Sequence, residues 1–159
     1  MKRLRKLVTF SLDDRKFALY VSAVQRIIQV VEVTPLPEAP EIVVGIINLQ
    51  GTVIPVFDIR MRFRLPAREV QLNDQMIIAD TAKRAVALLV DSVDDVIEIP
   101  GESIIAAEKI LPELEYVEGV VKTKGGMVLI HDIEKFLSRH EEKALDEALE
   151  AVNRNERQD

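Results

Sequence analysis

The chain has 159 residues, enough for one ordinary domain or two very small lobes sharing a core. Lys and Arg number 21 against 27 Asp and Glu, a net charge of −6, with a basic cluster in Met1–Lys6 and an acidic excess over 141–159. With no large basic field, no Cys, and apolar runs no longer than those like Ala85–Val90, the sequence argues against a dedicated nucleic-acid binder, disulfides, thiolate metal sites and a membrane-spanning helix. A soluble cytoplasmic protein is expected, since the basic start leads into an alternating pattern rather than a signal-peptide core. Hydrophobic residues make up 48% and aromatics only 4%, so the core is built from Val, Ile and Leu, which favour strands.

In chain order, Leu7–Leu12 alternates, with Val8, Phe10 and Leu12 on one side and Thr9 and Ser11 on the other. Asp13–Lys16 is a polar turn and Phe17–Val21 resumes the pattern, which predicts a hairpin. Val21–Ile28 reads as a short helix capped by Ser22, with Val24, Ile27 and Ile28 on one face. Val30–Val33 is extended, and Pro35, Pro37 and Pro40 then make a stiff connection. Short strands are predicted at Ile42–Ile47, Val53–Phe57, Gln75–Asp80, Ala85–Val90, Asp95–Ile99, Val117–Lys122 and Met127–Ile130. From Asp132 onward Ile133, Phe136, Leu137, Ala144, Leu145, Ala148, Leu149 and Val152 keep a helical period, with a break near Ser138 and fraying over Asn153–Asp159.

The sequence also repeats itself. At an offset of 69, Leu7–Ile28 lies over Met76–Ile97 without gaps, and Phe17–Val21 falls on Val86–Val90. At an offset of 74, Gly45 meets Gly119, Gly51 meets Gly125, and Asp58-Ile59 meets Asp132-Ile133. The expectation is a duplicated domain over 7–138, with units at 7–63 and 76–137, and then a charged helix and tail over 139–159. Such small units should share a core, and their short strands suggest two similar five-stranded β-barrel (SH3-like) lobes with a binding seam between them.

No constellation points to catalysis. His131 and His140 are the sole histidines, and each reads as structural or surface. Asp91, Asp94 and Asp95 lack the glycine and closing Glu of a calcium loop and read as a solvated turn. Gly125-Gly126 is a hairpin turn rather than a phosphate cradle. No cofactor or metal is expected, and the chain is not expected to be an enzyme.

The stretch Gly45–Arg60 is the distinctive one. Gly45 and Gly51 permit close approach or positive φ, Asn48-Leu49-Gln50 makes a turn carrying an exposed apolar residue, and Asp58 caps the segment after the strand. The order Gly45-x-x-Asn48-Leu49-Gln50-Gly51, then Pro55, then Asp58-Ile59-Arg60, resembles the signature of the CheW family of bacterial chemotaxis coupling proteins. The flanks resemble it too: Val24–Ile27 before the proline loop, and Ala87–Ile99. The resemblance runs from about Leu7 to Leu137.

It implies two small barrels around a common core, and a non-enzymatic adaptor tying chemoreceptor hairpin tips to the regulatory domain of the histidine kinase CheA. Neither nucleic acid nor direct membrane insertion is expected; recruitment to membrane arrays comes through partners. For receptor binding the resemblance and the repeat together indicate a groove of Val24, Ile27, Ile28, Val86, Leu88, Val93 and Val96. For the kinase they indicate Arg26, Gly45, Asn48, Leu49, Gln50 and Gly51. The family usually has Arg where Gln50 stands and often an acid where Arg26 stands, so an ion pair has been lost and Arg26 is expected to be an unpaired cation suited to an acidic partner. A β-barrel module for a ligand or nucleic acid, or a kinase regulatory domain alone, is the alternative. The former needs exposed aromatics and a basic face.

Overall fold

A computed structural model describes residues 3–110 and 116–158. The described residues are mainly β, with eleven strands in two sheets and a long helix near the end. In order these are β1 (Leu4–Leu12), β2 (Arg15–Tyr20), β3 (Val24–Gln29), β4 (Val43–Leu49), β5 (Thr52–Phe57), β6 (Gln75–Asp80), β7 (Ala85–Val90), β8 (Ser92–Pro100), β9 (Ile105–Ala106), the single turn α1 (Ala107–Ile110), β10 (Val117–Thr123), β11 (Gly126–His131) and α2 (Arg139–Gln158).

Two expectations are corrected. Val21–Ala23 is one 3-10 turn, and the residues from Val24 on form a strand, because the edge of β6 offers Val24–Gln29 a ladder of backbone partners. The final helix begins at Arg139, not near Asp132. Ser138 Oγ accepts the Glu141 N–H at 3.1 Å and the Glu141 carboxylate accepts the Ser138 N–H at 2.9 Å, a capping box that starts the helix where a break was expected. The helix continues through Gln158, within the stretch expected to fray, and Asp159 lies outside the described residues.

The six-stranded sheet runs β8-β1-β2-β11-β10-β9 and the five-stranded sheet β3-β6-β7-β5-β4. Each therefore mixes the two halves of the chain, contrary to one unit forming one lobe. The chain leaves the first sheet after Tyr20, builds all of the second, and returns at Ser92. The registers match: Ile28 faces Met76 as Ile97 faces Leu7, and the parallel pairs Val56–Ala87 and Ile130–Ala18 correspond at offsets of 74 and 69.

Four apolar clusters lie among the described residues, the smallest of them Ala107 of α1 with Val117 and Val120 of β10. Of the other three, one lies within the five-stranded sheet, with Ile47, Ile54, Met76, Ile78 and Ala87. A second lies within the six-stranded sheet, with Leu7, Ala18, Val128 and Ile130. The third joins both sheets through Phe10, Phe17, Phe57, Leu88 and Phe136 and takes in Leu145 and Ala148 of α2. The strand ladders do not close into barrels among the described residues; β3 and β4 remain the edges of one sheet, β8 and β9 of the other.

Candidate functional site

Residues 45–60 form a single construction. Gln50 (φ 52°) and Gly51 (φ 87°) join β4 to β5 with the double positive φ of a type I′ hairpin turn, whose twist suits the flanking strands. Asn48 Oδ1 accepts the Gly51 N–H at 2.9 Å and fixes that turn. Gly51 has open space around it, so glycine serves there through its φ alone. Gly45 serves through size. A Cβ on it would stand 2.3 Å from the Thr34 carbonyl oxygen, because Thr34 clasps the backbone of Ile46 in hydrogen bonds of 2.9 and 2.7 Å. Those bonds point both polar groups of Ile46 away from β5, so Pro55 opposite it occupies a non-hydrogen-bonded position where the missing N–H costs nothing.

The tip is joined to the far edge of its own sheet. Arg26 on β3 donates from Nη2 to Gln50 Oε1 at 3.1 Å, so the two residues are brought together, and the contact spans from edge strand β3 to the β4–β5 turn. No carboxylate lies within 4.0 Å of Arg26 among the described residues. Arg26 is thus a cation held by a neutral amide rather than one without any partner.

Of the other expected kinase-contact positions, Asn48, Gln50 and Gly51 are exposed, while Gly45 is buried beneath Thr34. Leu49, expected as an exposed apolar turn residue, is half-buried against the inner cluster of the five-stranded sheet, because the turn proper is Gln50-Gly51. The expected groove residues also divide. Val86 and Leu88 are 2% and 0% exposed in the joint core and offer a partner no surface, since β7 is covered on both sides. Val24 and Val93 are half-buried against that core, Ile28 against the inner cluster, and Ile27 and Val96 are exposed on edge strands β3 and β8.

The most elaborate polar structure lies outside the expected site residues. Arg60, at the end of the signature stretch, is 4% exposed and donates to Asp13 at 2.8 Å, to Asp91, and to the Pro66 carbonyl at 3.3 Å. Arg68 grips Asp74 with two bonds of 3.0 and 2.7 Å and reaches Asp91 at 2.5 Å. Burial pushes the Asp91 carboxyl up, but the bonds from Arg60, the Asp13 N–H and Arg68 outweigh it and hold the group below its usual range. Asp94 likewise is ion-paired, to Lys16 at 2.7 Å, with Ser11 donating at 2.6 Å. Asp91 and Asp94, expected in a solvated turn, are therefore acceptors of ion pairs, and Asp91 anchors a clamp between the sheets.

His131 is 2% exposed between the rings of Phe63 and Phe136, and neither ring nitrogen has a hydrogen-bond partner. Burial, with Arg62 nearby, lowers its pKa to about 3, so it is neutral. His140 is exposed on α2. Among the described residues no group of three metal-ligating side chains converges, and no helix is long and apolar enough to cross a membrane.

The sequence pattern of the CheW-like domain matches residues 6–141. The chain belongs to the CheW-like family. It is 31% identical over 142 residues to the chemotaxis protein CheW of Rhizobium meliloti (strain 1021), spanning 88% of this chain and 92% of that one. It is 28% identical over 144 residues to the CheW of Klebsiella aerogenes, spanning 89% and 87%. The crystal structure of the scaffolding protein TtCheW from Thermoanaerobacter tengcongensis is similar with a TM-score of 0.76 and 33% identity, covering 84% of this chain and 91% of that chain. As a CheW-like protein the chain is a chemotaxis scaffold. Inside the matched region the hairpin carries Gly45, Gly51 and the capping Asp58, and its tip carries Gln50 bonded to Arg26.

Proposed function

We propose that the chain couples the cytoplasmic hairpin tips of chemoreceptors to the regulatory domain of the histidine kinase CheA, in the cytoplasm and without catalysis of its own, joining membrane arrays through those partners. The observation that carries this is the match of CheW-like sequence and fold over nearly the whole chain. Each sheet's own apolar cluster supports reading the sheets as two small SH3-like barrels, and the matching registers support a duplicated domain over 7–138 with a charged helix after it.

Receptor contact falls to the accessible part of the expected groove, Ile27 and Val96 with Val24, Ile28 and Val93 behind them; an amphipathic helix docks through such apolar anchors. Kinase contact falls to Asn48, Gln50, Gly51 and Arg26. Since Arg26 keeps an unneutralised charge, the kinase surface facing it carries an acid.

Calorimetric titration tests both surfaces. Arg26→Glu should weaken binding of the CheA regulatory domain about tenfold, the effect of roughly one close charge pair, and leave receptor-tip binding unchanged. Ile27→Asp should do the reverse. Both positions are exposed, so the fold is spared. A folded Arg26→Glu protein that binds the kinase domain as tightly as the parent overturns the assignment.

A further inference from the structure

Between the β6–β7 turn, the 132–138 segment and the first turns of α2 lies a cavity of about 530 Å³, a size typical of small-molecule sites, which the adaptor role leaves unused. Its apolar side is formed by Ile133 and Phe136 with half-buried Leu137, and Phe57, Val86 and Leu145 pack behind them in the core.

The rim is charged and unbalanced. Glu134 accepts the Ala82 N–H at 3.0 and 3.3 Å, Asp146 is ion-paired with Arg84, and Lys83 stands 3.6 Å from both Glu142 and Asp146. The three acids thus face donors or cations within the wall. Arg139 and Lys143 also line the cavity, one helical turn apart on α2, and no carboxylate lies within 4.0 Å of either among the described residues. An apolar side next to two uncommitted cations matches a ligand with an apolar body and an anionic head.

We propose that this cavity binds a small amphipathic anion, its apolar body against Ile133, Phe136 and Leu137 and its carboxylate or phosphate head between Arg139 and Lys143. The bound molecule bridges α2 and the sheet, so it also tightens the docking of the helix. This site is independent of the partner surfaces above.

The test titrates decanoate, decyl phosphate and decanol, each below its self-association limit, into the isotope-labelled full chain while amide shifts are followed. Saturable shifts confined to 81–86 and 133–146 are expected for decanoate, decyl phosphate or both, the tighter of the two identifying the head, with decanol at least tenfold weaker. The double variant Arg139→Glu/Lys143→Glu should keep a folded spectrum, because acids suit the first turns of a helix, and should lose at least tenfold in affinity. The proposal is overturned if neither anion gives saturable shifts, if the shifts centre elsewhere, if decanol binds as well as the anions, or if the folded double variant binds like the parent.

Discussion

The segments after β5 and after β11 begin alike and end differently. In each an aspartate caps the turn, Asp58 accepting the Arg60 N–H at 3.1 Å and Asp132 the Glu134 N–H at 3.0 Å, and the next residue, Ile59 or Ile133, is buried. In each the third residue crosses to the turn of a hairpin, Arg60 to Asp13 and Glu134 to the Ala82 N–H, positions 69 apart. There the likeness stops. The first end is closed by guanidinium–carboxylate pairs among Arg60, Arg68, Asp74 and Asp91, leaving a void of only about 10 Å³. The second is closed by the apolar face of α2, through Leu145 and Ala148, and keeps a cavity of about 530 Å³. One backbone plan therefore accepts two kinds of filling. The difference predicts that the first end is brittle to loss of a charge and the second tolerant of it.

Arg60→Leu separates the two ends most sharply. It removes a buried guanidinium from between Asp13 and Asp91, leaving Asp91 with Arg68 and the Asp13 N–H, and unfolding by urea should show a loss of about 3 kcal/mol, the low end of the range for breaking a buried pair. Asp146→Ala at the second end, where the partner carboxylate is 42% exposed, should cost well under half of that. Equal losses would remove the contrast.

Gly45→Ala should cost about 2 kcal/mol, because the new Cβ meets the Thr34 backbone. Gly119→Ala should cost less. Its closest neighbour, at 2.7 Å, is the Ile104 Cγ2 methyl, which can turn aside, while the Ile105 carbonyl oxygen lies at 3.2 Å. The reverse order would mean that the clasp at Thr34 yields more easily than its geometry says.

His131 gives the next effect. Its folded pKa, about 3, lies below the unfolded value near 6.5, so the unfolded chain binds more protons between them. The stability from keeping it neutral is full above about pH 6.5 and falls by about 1.4 kcal/mol per unit as pH drops below that. His131→Leu should flatten this slope, leaving the acid sensitivity of Asp91, which sets in only as pH approaches carboxylate values. An unchanged slope near pH 5.5 in the variant would assign the effect elsewhere. The smallest effect belongs to the helix cap: Ser138→Ala should cost about 1 kcal/mol and raise amide exchange in the first turns of α2 alone.

The strands are legible in the sequence because alternation and β-branched residues dominate this chain; Gln75–Asp80 and Ala85–Val90 match their expected bounds to the residue. Val21–Ile28 is not legible in that way, since Val24, Ile27 and Ile28 fit a helical face and a strand equally well, and the free edge of β6 decides between them. The start of α2 is written in Ser138-x-x-Glu141, a signal more local than the apolar periodicity that points to Asp132. The ion clamp is illegible for a different reason. Its members stand at 13, 60, 68, 74 and 91, and only the exchange of strands between the sheets brings them together. At the signature hairpin the turn chemistry of Asn48 and Gly51 is readable, while the burial of Gly45 and Leu49 depends on Thr34 and the inner cluster.

An adaptor must hold two partners at once, and that is the measurement to make. The chain is first saturated with a receptor-tip hairpin and then titrated calorimetrically with the CheA regulatory domain. Binding within about twofold of that seen without the hairpin is expected, with a three-component complex of matching mass by light scattering. Displacement of the hairpin by the kinase domain would contradict the adaptor role, because one shared surface cannot bridge two partners.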